Sequence, residues 1–236
     1  MITFKPKQVT KKLLGVLPDR ARDVLEKRYG LGQNSVSQTL ESIGKTYGIT
    51  RERVRQIENY GIQSIQKSPV YDEFQAVFDE LKSIIDSLGA VVSEDDLLKE
   101  LSGDKSTRNH IFFLLVIGNA FYRSKENTNF YHRWCVEQKI SETVEKALQN
   151  VFETLKEDEL ISEDEILARL RGELKHIEDR CRDEAVLKRW LSMSKSIGKN
   201  PLGEWGHAQS PNVRAKGIRD YAYLAVKRHG SPMHFK

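Results

Sequence analysis

Apolar residues recur every three or four positions in successive segments between residues 18 and 67. In the first segment Ala21, Val24 and Leu25 form a stripe along one side of a helix, and Gly30 follows as a residue that often ends one. This spacing is that of an amphipathic helix, whereas a half-buried strand would alternate apolar and polar residues. The segment therefore predicts a helix that ends next to Gly30.

Each of the next two segments begins after a threonine that is suited to cap a helix. Thr39 precedes a segment with Ile43 in its apolar stripe and Gly48 at its end, and Thr50 precedes a segment that begins at Arg51. A threonine at this position accepts a hydrogen bond from the backbone of the first helical turn. Two helices joined by a short turn that contains glycine form a helix-turn-helix motif, and the sequence predicts one here.

The last of these helices has an apolar face and a polar face. The apolar face contains Val54, Ile57, Gly61 and Ile65, and the polar face has a row of Arg51, Arg55 and Asn59 flanked by Glu52 and Gln56. Arginine can bridge O6 and N7 of guanine, glutamine can pair with N6 and N7 of adenine, and glutamate can accept a hydrogen bond from N4 of cytosine. Because the first turns of such a helix reach base edges in the major groove, the polar face predicts a reader of double-stranded DNA.

The charge of the chain supports this prediction. Residues 1–69 contain 13 lysines and arginines against 6 aspartates and glutamates, a net charge of +7. The other 167 residues contain 25 against 28, a net charge of −3. A compact basic segment is the usual sign of a nucleic-acid-binding surface, since neutralised phosphates release counterions. We expect ten residues to form that surface: Thr39, Lys45, Thr50, Arg51, Glu52, Arg53, Arg55, Gln56, Asn59 and Lys67.

The residues of this segment resemble a known family. The stretch TLESIGKTYGITRERVRQIE is similar to region four of the sigma-70 family, and the preceding LPDRARDVLEKRYGL resembles the leading helix of that region; the resemblance covers residues 17–67. It implies a head that reads the promoter −35 element and docks on the flap of the RNA polymerase β subunit. It also implies base-edge and adjacent phosphate roles for Arg51, Glu52, Arg55 and Gln56. The apolar face around Leu25, Tyr29 and Leu31 would border the flap-binding side.

Two features depart from that family. Gly61 stands inside the third helix where the family usually has alanine, which costs about 1 kcal/mol of helix propensity and indicates either a softer helix or close packing. Nothing in the chain resembles region two, the aromatic-rich part that captures and melts the −10 element. We therefore do not expect the chain to be a complete initiation factor.

The rest of the chain contains an internal repeat. The segment SEDDLLKEL at residues 93–101 aligns without gaps with SEDEILARL at residues 162–170, and each follows a long amphipathic helix. Ser93 and Ser162, with the acidic residues after them, fit the capping pattern of a helix N-terminus. Each copy continues with another apolar helix and a candidate β-hairpin, which is the element order of a winged helix. We therefore predict a mainly α-helical fold, with a helix-turn-helix head and tandem winged-helix domains that carry small β-hairpin wings.

Four domains follow from these patterns: the head at residues 1–69, winged-helix repeats at 70–137 and 138–210, and the start of a third copy at 211–236. The last segment, IRDYAYLAVKRHGSPMHFK, resembles the start of the HARE-HTH family, which includes the N-terminal domain of the RNA polymerase delta subunit. The earlier copies resemble that family more weakly. Since too few residues remain to complete a third copy, we expect the chain to be a fragment of a longer protein.

The role of the winged units stays open at the level of sequence. Five residues of the first copy are candidates for phosphate contacts: Arg108, His110, Arg123, Lys125 and Arg133. The net negative charge of this part of the chain instead favours protein contacts or weak nonspecific DNA binding.

The sequence has no pattern of catalytic residues or of a cofactor site, so we expect neither an enzyme nor a bound cofactor. Two pairs, His132 with Cys135 and His176 with Cys181, together imitate a zinc site, but they lie at unlike places in the two repeats, and we expect no metal. The absence of a long apolar run or a signal-peptide pattern predicts a cytoplasmic protein without membrane contact. Because no heptad seam is present, we expect a monomer.

These patterns together predict a transcription regulator that reads double-stranded DNA and has RNA polymerase as a further partner. Two alternatives remain open. One is a sigma-mimicking regulator that acts through protein contacts with polymerase. The other is the DNA-targeting part of a restriction or DNA-processing system.

Overall fold

The computed structural model describes residues 2–177 and 183–229 of the chain. These residues are mainly α-helical with small antiparallel β-hairpins, which confirms the predicted fold class. Cys181 and residues 230–236, which include the predicted entry into a capped helix of the third repeat, lie outside the described residues.

The head is built from four helices: α1 (Pro6–Leu14), α2 (Asp19–Tyr29), α3 (Leu40–Tyr47) and α4 (Arg51–Gln66). The part that follows contains α5 (Pro69–Glu73), α6 (Gln75–Ser87), β1 (Val91–Ser93), α7 (Glu94–Leu101), α8 (Lys105–Ile117), β2 (Tyr122–Ser124) and β3 (Arg133–Cys135). The last part contains α9 (Gln138–Thr154), α10 (Glu163–Glu173), a short 3₁₀ helix (Lys175–Ile177), α11 (Glu184–Met193), β4 (Ile197–Lys199), β5 (Trp205–His207) and α12 (Ile218–His229).

The helix boundaries of the head confirm the predicted capping residues. Gly30 ends α2 with a left-handed backbone, at a φ of 64°, a conformation that costs glycine little. The Thr39 hydroxyl accepts a hydrogen bond from the Ser42 amide at 3.1 Å, and the Thr50 hydroxyl accepts one from the Arg53 amide at 3.1 Å. Local hydrogen bonds therefore fix where both helices of the helix-turn-helix motif begin.

The described residues form two compact units. The first comprises the described residues up to Ser87 together with Glu94–Arg123 and Trp134–Val136, so it contains the head and α5 to α8. The second comprises Leu88–Ser93, Ser124–Arg133 and the described residues from Glu137 onward. The finer division into four domains stays a prediction.

Within the first unit the head packs against α8. The rings of Tyr29 in α2 and Phe113 in α8 lie 5.1 Å apart, centre to centre. The side-chain amide of Asn109 in α8 donates hydrogen bonds to the Gly30 carbonyl at 2.9 Å and to the Ser35 carbonyl at 3.1 Å. Helix α8 therefore covers the side of α2 and the following loop that the helix-turn-helix core leaves open.

Within the second unit, α9, α10 and α11 pack around buried side chains that include Val144, Leu170, Leu187 and Trp190. Strands β4 and β5 pair antiparallel, with Gly198 opposite Gly206. The Ser162 hydroxyl accepts a hydrogen bond from the Glu165 amide at 3.2 Å, as its capping pattern predicts. This order of three helices and a hairpin is consistent with a winged helix.

The two repeats share an ion pair that connects the capped helix to the wing. In the first copy, Arg123 of β2 donates to Glu94 of α7 at 2.5 and 2.8 Å, and its guanidinium lies 5.9 Å from the ring centre of Trp134 in β3. In the second copy, Lys199 of β4 pairs with Glu163 of α10 and lies 5.5 Å from the ring centre of Trp205 in β5. The acidic residue after the capping serine thus binds a wing cation, in addition to its favourable position at the positive end of the helix.

Close packing explains the glycine inside α4. A Cβ atom at Gly61 would lie 3.0 Å from Cδ1 of Leu25, whose side chain is fully buried in α2. We expect Gly61→Leu to lower the free energy of unfolding by about 1–3 kcal/mol, because a larger side chain must push α4 away from α2. Urea denaturation measures this change. The exposed position Gln63 on the same helix is the control, and Gln63→Leu should change stability by less than about 0.5 kcal/mol. Equal stability of the two variants would contradict close packing at Gly61.

The cap of α8 predicts a loss of stability in acid. The Asp104 carboxylate accepts hydrogen bonds from the Thr107 hydroxyl at 2.7 Å and the Thr107 amide at 2.9 Å, which lower its pKa from the ordinary 3.8 to about 2. A lowered pKa means that this carboxylate stabilises the fold above about pH 4 and that the stabilisation is lost as the pH falls towards 2. We expect Asp104→Asn to show a smaller fall in Tm between these two pH values than the unchanged chain. Identical pH profiles would contradict this role of the carboxylate.

Candidate nucleic-acid interface

The polar face of α4 is exposed to solvent over its whole length. Val54, Gly61 and Ile65 are buried on the opposite side, where Val54 joins a core cluster with Val24 and Ile43. All ten residues predicted for DNA binding are exposed: Thr39, Lys45, Thr50, Arg51, Glu52, Arg53, Arg55, Gln56, Asn59 and Lys67. Packing against the rest of the head therefore leaves the candidate reading surface open to a large partner.

Two pairs of side chains cover the first turns of α4. Arg55 donates from Nε to Glu52 at 2.9 Å and from Nη2 to the second oxygen of the same carboxylate at 2.6 Å. Arg53 donates from Nη1 to the side-chain oxygen of Gln56 at 3.0 Å. The hydrogen bond from Arg55 lowers the pKa of Glu52 and raises the pKa of Arg55, so both groups carry their charges at neutral pH.

Cations also flank the start of α3. A cleft of about 340 Å³ there is lined by Arg28, Thr39, Leu40, Glu41 and Arg51. Arg51 is exposed at the first position of α4, while Arg28 donates to the Gln38 carbonyl at 3.1 Å. The structure thus brings Thr39 and Arg51 to one cleft, where backbone N–H groups of a helix start and a guanidinium can face an anion together.

Glu58 lies on the buried side of α4, opposite the exposed polar face, and was not predicted from the sequence. It is 8% exposed, and one oxygen of its carboxylate accepts hydrogen bonds from the Tyr29 hydroxyl at 2.8 Å and from Arg28 Nε at 3.3 Å. Burial and the neighbouring charge of Glu58 raise the pKa of Tyr29. A spacing of four residues from Val54 and three from Gly61 is the signal that assigns Glu58 to the inner face.

Tyr60 is a further exposed residue of α4, at 57%, and was not among the residues predicted from the sequence. Its position four residues after Gln56 was the available signal, because that spacing places both on one side of a helix. The exposed surface of α4 therefore extends one turn beyond the residues that were predicted to reach bases.

The apolar face that the resemblance places at the flap-binding side is covered within the first unit. Leu25 is fully buried and Leu31 is 9% exposed. Tyr29 lies with its ring against Phe113 and its hydroxyl on Glu58. These three residues form part of the interior of the unit, and the flap-binding side that the resemblance places next to them stays a prediction.

Most of the candidate phosphate-binding residues of the first winged-helix repeat (residues 70–137) are buried or bind other groups of the protein. Arg108 donates to the Gly103 carbonyl at 2.8 Å, His110 is buried, and Arg123 is paired with Glu94 as described above. Arg133 is 4% exposed and donates to Glu145 at 2.6 Å. Lys125 remains exposed on the loop after β2. This arrangement disfavours DNA reading by the wing of that unit.

No group of three metal-ligating side chains occurs among the described residues. Nδ1 of His132 accepts a hydrogen bond from the Glu126 amide at 2.9 Å, and Cys135 is buried in β3. The other two residues considered for zinc, the His176 side chain and Cys181, lie outside the described part. Within residues 2–177 and 183–229, no helix is long and apolar enough to cross a membrane.

Comparison with known proteins assigns the helix-turn-helix segment to a family. The family model for sigma-70, region 4, matches residues 13–67, which contain α2, α3 and α4. Over 55 residues the chain is 38% identical to the RNA polymerase principal sigma factor HrdD of Streptomyces griseus. That match covers 23% of this chain and 16% of the relative, so it spans about a sixth of that protein's length. No solved structure matches the chain.

The hydrogen bond from Tyr29 to Glu58 predicts a measurable loss of stability. Tyr29→Phe removes the hydroxyl and leaves one fewer donor on the buried carboxylate, and we expect the free energy of unfolding to fall by about 1–2 kcal/mol. Urea denaturation of the whole chain measures the change. Tyr60→Phe is the matched control, because that hydroxyl is at an exposed position, and it should leave stability unchanged. If both variants are as stable as the unchanged chain, the contact does not anchor α4.

Proposed function

We propose that the chain is a sequence-specific regulator of transcription that binds double-stranded DNA with α4 in the major groove. The observation that carries the proposal is the exposed polar face of a threonine-capped helix whose opposite face is packed into the head. The match of residues 13–67 to sigma-70 region 4 supports it, since this is the segment that contains the helix-turn-helix motif.

The first turns of α4 carry the side chains that distinguish bases. Arg55 donates to O6 and N7 of a guanine, and Gln56 pairs with the N6 and N7 edge of an adenine. Arg51, one turn earlier, contacts a neighbouring base edge or phosphate. Glu52 lies on the same exposed surface and is paired with Arg55. Asn59 lies one turn further along the same row and extends the contact along the groove.

A second group of exposed residues holds the duplex without reading its sequence. Lys45 in α3, Arg53 in the first turn of α4 and Lys67 after α4 neutralise phosphates. The hydroxyls of Thr39 and Thr50 lie at the starts of α3 and α4, where backbone N–H groups favour an anion. The net charge of +7 on residues 1–69 supports binding to a polyanion over this surface.

The similarity to a principal sigma factor of RNA polymerase supports two finer assignments. The first is that the preferred duplex resembles a promoter −35 element. The second is that polymerase is a partner of this chain as well. Because Leu25, Tyr29 and Leu31 are covered by the chain itself, contact with the polymerase flap uses the surface that borders them.

The winged units serve protein contacts in this proposal. Arg123 and Arg133 are held by Glu94 and Glu145, and releasing either cation to a phosphate would leave a carboxylate without its partner. The net charge of −3 on the residues after position 69 also opposes DNA binding by that part of the chain.

Substitutions in the two groups of residues should have different effects. Arg55→Ala is expected to weaken binding to a −35-like duplex by about 1–3 kcal/mol and to relax the preference at one base pair, while binding to a scrambled duplex changes little. Lys67→Ala is expected to weaken binding to both duplexes alike and to reduce the salt slope by about one. Titrations of labelled duplexes over a salt series measure both effects.

The matched control is Lys82→Ala, which removes an exposed lysine of α6, outside the predicted surface. It should leave both affinities unchanged. If Arg55→Ala binds every duplex as tightly as the unchanged chain, α4 does not read bases, and the proposed function is wrong in its central step.

A further inference from the structure

The contact between Glu52 and Arg55 is more specific than an ordinary surface ion pair. Both oxygens of the Glu52 carboxylate accept from Arg55, one from Nε at 2.9 Å and one from Nη2 at 2.6 Å. Such a bidentate pair fixes the plane of the guanidinium as well as its distance. Both side chains remain about half exposed, at 58% and 53%, so the pair lies on the open surface of α4.

The geometry leaves the remaining donors of Arg55 available. An arginine has five N–H donors, and Glu52 occupies the one on Nε and one of the two on Nη2. The other N–H groups, on Nη1 and Nη2, form the end of the planar fork. That edge can donate to O6 and N7 of a guanine at the same time. Arg55 can therefore contact a base without leaving Glu52.

The ion pair with Glu52 also weakens the electrostatic attraction between Arg55 and DNA phosphates. A free arginine on a long flexible side chain is attracted to the nearest phosphate whatever the sequence, and this attraction makes nonspecific binding tighter. The negative charge of Glu52 opposes that movement, and its two hydrogen bonds would have to break. Removing Glu52 should thus increase nonspecific contacts and decrease the orientation needed for a base.

We propose that Glu52 is a positioning residue that holds the guanidinium of Arg55 for base reading and keeps it from the DNA backbone. This inference rests on the proposed function and adds to it that Glu52 acts through Arg55. A direct contact of Glu52 with a base is the competing assignment.

Another exposed pair of the head provides the control. Glu41 and Lys45 of α3 lie 3.0 Å apart, with side chains 68% and 77% exposed. A lysine ammonium has no planar fork, so Glu41 cannot orient its partner in the same way. Glu41→Gln removes the same charge from the head as Glu52→Gln and leaves Arg55 paired.

The test compares Glu52→Gln, Arg55→Ala, the double variant and Glu41→Gln in the full chain, with a −35-like duplex and a scrambled duplex over a salt series. We expect Glu52→Gln to lower the ratio of the two affinities by about tenfold, which is the size of one good base contact. Its binding to the scrambled duplex should show a salt slope steeper by about one, because the released Arg55 neutralises a further phosphate.

In the Arg55→Ala background, Glu52→Gln should change the affinity ratio by less than about twofold, since the residue through which it acts is gone. Circular dichroism of each variant verifies that the helices are intact. If Glu52→Gln lowers the ratio equally with and without Arg55, Glu52 contacts a base itself and the inference is overturned. The inference is also overturned if Glu52→Gln behaves like Glu41→Gln, because Glu52 then acts only through its charge. If the unchanged chain does not prefer the −35-like duplex at all, the failure lies in the proposed function.

Discussion

The carboxylate of Glu58 is the group on which the orientation of the candidate reading helix depends. It lies on the buried side of α4 and accepts hydrogen bonds from Tyr29 and Arg28, both at the end of α2. A buried carboxylate without these donors would be costly, so the pairing defines one rotation of α4 about its axis. That rotation turns Arg55 and Gln56 outward. Polar contacts as well as apolar packing fix the buried face of α4. The opposite, polar face of the helix is therefore held towards solvent.

The same tyrosine connects the helix-turn-helix segment to the part of the first unit that follows it. Its hydroxyl binds Glu58 of α4, while its ring lies against Phe113 of α8. The family match ends at residue 67 and contains the helix-turn-helix segment, but the interior behind that segment continues into α8. The chain also uses its charges differently in its two parts. Lys45 and Arg55 of the head are paired with carboxylates on an open surface, with side chains 77% and 53% exposed, whereas the paired cations Arg123 and Lys199 of the wings also lie beside tryptophan rings.

Local signals made much of this architecture predictable from the sequence. The helix boundaries at Gly30, Thr39 and Thr50 follow from caps whose partners are four residues away or closer, and such contacts form in any fold. The exposed row on α4 follows from helical spacing. The sequence could not reveal that Glu58 binds Tyr29, that α8 packs against the Tyr29 ring, or that Arg123 is held by Glu94. Each of these contacts joins residues about thirty or more positions apart. Which distant segments meet is decided by the packing of the whole unit, and a single sequence gives no direct measure of it.

The most direct test of sequence reading by α4 is a selection from a pool of random duplexes. The full chain and its Arg51→Ala/Arg55→Ala variant each select duplexes from the same pool. If α4 reads bases, the unchanged chain enriches one short motif similar to a −35 element, and the variant enriches none or a degenerate one. Enrichment of no motif by the unchanged chain, with binding that depends steeply on salt, would contradict sequence reading. The head would then be only a basic surface, and α4 would not read DNA sequence.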